Sequence, residues 1–152
     1  MYNGPMVPMH VLLADVHVQV RWALRTFLQE GLGFVVVGEV HEAEELLSLA
    51  EALRPDLIFL EWELPGLAPC AILAALSALE LHGKVIVIGQ RPECQQAALA
   101  AGADAFLCKT ASPDQVRLAL VRVMADGGGA QLRAPSKMVG SEEVAQGKSC
   151  IR

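Results

Sequence analysis

Aromatic residues are scarce in this chain of 152 residues, at 5%. A core therefore has to be built from Leu, Val, Ile and Ala, and a 53% hydrophobic fraction supplies them. That balance excludes disorder of the whole chain. Positive charge is scarce as well: 12 Lys and Arg face 17 Asp and Glu, for a net charge of −5. Non-specific nucleic-acid binding runs on Lys and Arg neutralising phosphates. No basic stripe exists here, so direct nucleic-acid binding by this segment is not expected. No run reaches the roughly 18 apolar residues that a membrane-crossing helix needs. The first nine residues lack a basic region followed by a long apolar one, and do not read as a signal peptide. Cys150 stands one place too late for a prenylation box. The expectation is a cytoplasmic chain without membrane attachment. The four cysteines, Cys70, Cys94, Cys108 and Cys150, form no C-x-x-C pair, and no His lies at metal-ligand spacing. They are expected to be reduced thiols. There is no G-x-S-x-G, and Ser77 lies within an apolar helical run, so hydrolysis has no support and the chain is not expected to be an enzyme.

What the chain does have is alternation. Five short apolar runs, His10–Ala14, Phe34–Glu39, Asp56–Glu61, Lys84–Gly89 and Ala105–Cys108, read as strands. Several are continuous in hydrophobicity, such as Val85-Ile86-Val87-Ile88. Continuous runs indicate burial on both faces, as in a parallel sheet covered by helices. Helical runs separate them. Val18 to Glu30 stops at Gly31, Glu42 to Leu53 stops before Pro55, Pro69 to His82 closes at Gly83, and Pro92 to Ala101 closes at Gly102. The last opens with Ser112-Pro113-Asp114-Gln115, a capping box with proline at the first helical position. Five β-α repeats with right-handed crossovers make a doubly wound α/β sheet. Ligands and chemistry in such a sheet sit at the carboxyl ends of the strands. One of those ends carries Glu61, followed by the turn Leu64-Pro65-Gly66.

A set of short matches in order supports a family reading. They are Val11-Leu12-Leu13-Ala14-Asp15 with His17 and Val20-Arg21, then Val36-Val37-Gly38-Glu39, Arg54-Pro55-Asp56-Leu57, Leu64-Pro65-Gly66, Ala101-Gly102-Ala103 and Phe106-Leu107-x-Lys109. Across residues 9–125 the chain resembles the receiver domain of two-component response regulators, of the subfamily linked to a helix-turn-helix. The resemblance implies a flavodoxin-like (CheY-like) five-stranded parallel sheet of order 2-1-3-4-5, with helices on both faces. It also implies phosphoryl transfer to an aspartate, assisted by magnesium, a lysine and a Ser/Thr hydroxyl.

Carried over residue by residue, that machinery is incomplete. Asp15 matches the first of the paired acids, and Val16 stands where the second, a magnesium ligand, is expected. Magnesium takes oxygen donors in near-octahedral geometry, and an isopropyl group offers none. Glu61 matches the phosphoacceptor with one methylene too many. A misplacement of ~1 Å can cost on the order of 100-fold in rate. Gly89 stands at the switch-hydroxyl position, Phe106 at the switch aromatic, and Lys109 is retained. A Lys109–Glu61 pair that locks the site is the expected consequence. The resulting function is a receiver-like module of signalling or transcriptional control that works without phosphorylation and without a cofactor. The alternative is a phosphorelay receiver that uses Glu61 with a weak magnesium site of Asp15, Glu61 and Glu63.

Asp15-Val16-His17 also resembles the start of a cobalamin-binding signature, but Val20 replaces its glycine. On the last helix, Leu118, Val121 and Ala125 form a second apolar line bordered by Arg117 and Arg122. A singly amphipathic surface helix does not need one. The resemblance implies a dimer or partner surface on the last two helices, with Leu118, Val121 and Arg122 in it. Residues 1–8 are expected to be a disordered leader, and residues 126–152, which begin Asp126-Gly127-Gly128-Gly129, a flexible tail or linker. Ala130–Arg152 is neither long nor apolar enough for a helix-turn-helix, so a single-domain protein or a lost or cut-off output domain is expected.

Overall fold

The computed structural model describes residues 8–125; the expected leader up to residue 7 and the tail from residue 126 lie outside them. Five parallel strands form one sheet: β1 (His10–Ala14), β2 (Val35–Val40), β3 (Leu57–Glu61), β4 (Lys84–Gly89) and β5 (Ala105–Cys108). Their order is β2-β1-β3-β4-β5, as the resemblance implies. Helices α1 (Val18–Thr26), α2 (Ala43–Leu53), α3 (Pro69–Ala78), α4 (Cys94–Ala100) and α5 (Pro113–Ala125) connect or follow the strands.

Alternation along each strand divides the core. Leu12, Ile58, Leu60 and Val87 pack with Leu46, Ala50, Ile72, Leu76 and Ala98 of α2, α3 and α4. Val11, Leu13, Leu57, Phe59, Ile86 and Ile88 face the other way, toward Leu28, Val116, Leu120 and Val123. Successive side chains of a strand point to opposite faces, so a strand with helices on both sides has to be apolar throughout. All five residues of β3 are buried, the last being Glu61.

Helix ends differ from the expectation where local chemistry intervenes. The first helix is α-helical only to Thr26, and Phe27–Gly31 continues it as a π-helical turn. Arg54 ends α2 in the left-handed region (φ 47°), because the following Pro55 disfavours a right-handed helical residue before it. Helix α3 ends at Ala78 rather than near His82, and Glu80 takes a positive φ of 55°. Gly83 acts by close approach: a Cβ there would lie 2.3 Å from the Pro55 carbonyl oxygen. The α5 capping box forms as expected. Gln115 N–H donates to Ser112 Oγ (3.2 Å), and Ser112 N–H donates to Gln115 Oε1 (2.8 Å).

The expectation of four reduced thiols is corrected at Cys70, which is disulfide-bonded; Cys94 and Cys108 are free. Among the described residues no helix is long and apolar enough to cross a membrane.

Candidate functional site

The carboxyl ends of β1, β3 and β5 bring Asp15, Glu61 and Lys109 together. Asp15 follows β1 and is 2% exposed; Glu61 closes β3 and is 5% exposed. Two carboxylates at that depth repel unless a cation joins them. Lys109, whose backbone N–H donates to the Gly89 carbonyl (2.9 Å), supplies it. Its Nζ lies 2.9 Å from Glu61 Oε2 and 3.3 Å from each Asp15 carboxylate oxygen. The expected Lys109–Glu61 pair is therefore present in the structure, and Asp15 shares it.

The backbone completes the arrangement. The extra methylene of Glu61 lets Oε1 accept the Val16 N–H (2.9 Å). Val16 thus contributes its main chain, while its side chain faces outward, with the residue 39% exposed. His17 N–H donates to Asp15 Oδ1 (2.8 Å). Beneath this, Arg21 donates to the Asp15 backbone carbonyl and to Glu39 Oε1 (3.0 Å), and Arg25 pairs with Glu39 Oε2. Helix α1 is tied in this way to the ends of β1 and β2.

Gly89 and Phe106 are linked by packing. A Cβ at residue 89 would sit 2.9 Å from two atoms of the Phe106 ring, tighter than the ring can accept unmoved. The ring fills the space that a side chain at 89 would enter, and packs against the α2–α4 side of the core.

Glu63 does not join the acidic cluster. Its exposed carboxylate lies 3.9 Å from Arg91. The third group there is His17, whose Nδ1 is 3.1 Å from Asp15 Oδ1 and 2.8 Å from Lys109 Nζ. In the sequence His17 stood only within the receiver-like opening and the cobalamin-like triplet, with no role beside the acids. The available signal was its position two residues beyond a strand-end acid, which turns the imidazole back over the carboxylate. Arg21 and Glu39 were visible as separate matches, but their pairing was not. Leu118 and Val121 are 55% and 58% exposed, and Arg122 is exposed beside them. Arg117 instead stacks over the Phe27 ring, with its guanidinium carbon 5.3 Å from the ring centroid.

A response regulator receiver domain model matches residues 11–121. The chain belongs to the receiver domain family. It is 33% identical over 115 residues to the nitrate/nitrite response regulator protein NarL of Escherichia coli K12, covering 74% of this chain and 53% of that one. It is 34% identical over 119 residues to the transcriptional activator protein ExaE of Pseudomonas putida, covering 77% and 56%. The chain thus spans about half the length of these curated relatives. Among solved structures, the receiver domain of the putative response regulator NarL from Mycobacterium tuberculosis superposes with a TM-score of 0.69. It is 27% identical and covers 80% of this chain and 98% of that one.

The metal that the family resemblance implies is magnesium, and this receiver's donors do not fit it. Val16 presents no oxygen side chain, Glu63 turns to Arg91, and an imidazole nitrogen enters the cluster. Magnesium favours oxygen ligands and a regular octahedron.

Proposed function

We propose that this receiver domain serves two-component signalling or transcriptional control as a protein-contact module, without accepting a phosphoryl group. One observation carries the reading: Lys109 is already committed between Glu61 and Asp15, at 2.9 and 3.3 Å. Phosphoryl transfer depends on positive charge placed on the transferring oxygens and on an in-line nucleophile. Here the cation neutralises the carboxylates themselves, and Glu61 is held at its other oxygen by the Val16 N–H. Gly89 offers no hydroxyl for the product, and the Phe106 ring crowds the space where one would stand.

The output then depends on surface contacts instead of chemistry. The exposed Leu118 and Val121, with Arg122 beside them, supply an apolar strip with a charged border on α5. A second copy or a protein partner that covers this strip with part of α4 is the interaction the reading requires. Nucleic acid is a poor partner for this segment, given the net charge of −5.

The test is incubation of the purified chain with a small phosphodonor and magnesium, followed by intact-mass measurement. The expected spectrum is that of the unmodified chain. A stable mass increase of one phosphoryl group, lost in Glu61→Gln, would overturn the proposal.

A further inference from the structure

Glu61 is joined to helix α1 through a backbone peptide. Glu61 Oε1 accepts the Val16 N–H at 2.9 Å. That N–H belongs to the same planar unit as the Asp15 carbonyl, and in a trans peptide the two bonds point in opposite directions. The Asp15 carbonyl accepts from Arg21 Nη1. One peptide therefore lies between a guanidinium and a carboxylate, with its negative end on the cation and its positive end on the anion. The groups beyond it extend the pattern, with the imidazole of His17 counted as neutral. On the carbonyl side, Arg21 and Arg25 share the carboxylate of Glu39, and positive charge is in excess. On the N–H side, Asp15 and Glu61 share the ammonium of Lys109, and negative charge is in excess. The peptide dipole is aligned favourably with both clusters. Hydrogen bonds in such a chain polarise one another, and they do so more strongly away from bulk water. The side chains of Arg21 and Glu61 are 14% and 6% exposed, which shields the chain at both ends.

We propose that Arg21 is a positioning residue for the charged strand edge: acting through the Asp15–Val16 peptide, it holds Glu61 toward Lys109 and makes that arrangement depend on where α1 and β2 stand. The residue type suits the task. Arg21 reaches both partners from one rigid fork, with Nε donating to Glu39 Oε1 at 3.0 Å and Nη1 to the Asp15 carbonyl. Lysine carries the same charge without a planar fork. Glu39 lies on β2 and is held at its other oxygen by Arg25, so the guanidinium of Arg21 is itself oriented. Asp15 is anchored to the same strand, because its N–H donates to the Val40 carbonyl at 3.0 Å. Helix α1 and strand β2 together thus set the peptide that meets Glu61. This inference deepens the closed-site reading above and rests on its Lys109–Glu61 pair. It makes no use of the α5 surface.

The test reads the Val16 amide of the isotope-labelled full chain by NMR, through its proton shift and its hydrogen-exchange rate. Arg21→Gln should move the Val16 proton upfield and speed its exchange by about tenfold or more, the scale of a hydrogen bond to a charged group. Arg21→Lys keeps the charge without the fork, and should move the proton in the same direction by less. It also serves if Arg21→Gln fails to fold, with the amides of Leu12 and Phe59 reporting the state of the sheet. Glu61→Gln removes the charged acceptor, and in that background Arg21→Gln should shift the Val16 amide far less. Such non-additivity is what a shared chain of hydrogen bonds produces. A merely structural Arg21 would lower the melting temperature and leave the Val16 amide bonded to Glu61. A Val16 amide unmoved in both Arg21 variants, or a shift of the same size with and without the Glu61 carboxylate, would overturn the inference. The phosphodonor experiment stays separate. A phosphoryl adduct would overturn the closed-site reading, whereas an unmoved Val16 amide with no adduct would remove only the role of Arg21.

Discussion

The interior of β3 and its final residue obey different rules. Leu57, Ile58, Phe59 and Leu60 are each at most 1% exposed and alternate between the two halves of the core. Glu61, next in line, is nearly as buried but is held by Lys109 and the Val16 N–H. The first four residues satisfy the fold and would serve any chemistry placed on it. The fifth satisfies the local charge balance of this chain. Family architecture is retained through area removed from water, while the edge is held by one ammonium shared between two carboxylates. A scaffold and its activity are separable on this fold.

Phe59→Ala gives the largest effect expected of this comparison. The ring is buried against the α1 and α5 side, and its loss should destabilise the domain by about 3–5 kcal/mol. Chemical denaturation would measure it. A loss under about 1 kcal/mol would mean that this side of the sheet repacks freely, and would remove the contrast with the edge.

Lys109→Met should cost about 3 kcal/mol, the usual scale for breaking a buried charge pair by removing one partner. At a side-chain exposure of 11% the site is shielded, so screening discounts this only modestly. The cost comes from two carboxylates left facing each other, so the double variant Lys109→Met/Glu61→Leu should recover part of it. A double-mutant cycle in denaturant tests the coupling. Additive effects would show that Lys109 and Glu61 do not act as a pair.

Much of the fold was legible in the sequence because burial on both sides of a strand leaves continuous apolar runs. The bounds of β1, β4 and β5 agree with the expectation, and Ser112 to Gln115 announced their cap. Helix ends were less legible. The π-helical turn at Phe27–Gly31 and the positive φ of Glu80 are set by how the chain meets the next strand, which no local pattern encodes. In the site, Glu61 was recoverable as a carboxylate at a strand's carboxyl end, and Asp15 and Lys109 through the receiver resemblance. His17 was missed, although its position two residues beyond a strand-end acid was a signal that the imidazole meets the carboxylate. Glu63 was placed with the acids because the receiver resemblance puts a magnesium-binding backbone carbonyl at its position, and the chain direction after β3 carries its carboxylate toward Arg91 instead.

The smallest effect on stability should come from α5, where a large functional consequence is expected. Leu118→Glu/Val121→Glu alters two side chains more than half exposed. Surface substitutions of this kind usually change stability by less than about 0.5 kcal/mol each. The melting temperature should therefore stay near its original value, while self-association, followed by light scattering across a concentration series, should be lost. The outer face of α5 belongs with neither the sheet interior nor its charged edge, because nothing within the domain requires Leu118 and Val121 to be apolar. An unchanged oligomer size, with a partner still bound, would move the contact surface off this helix and leave the strip as ordinary exposed hydrocarbon.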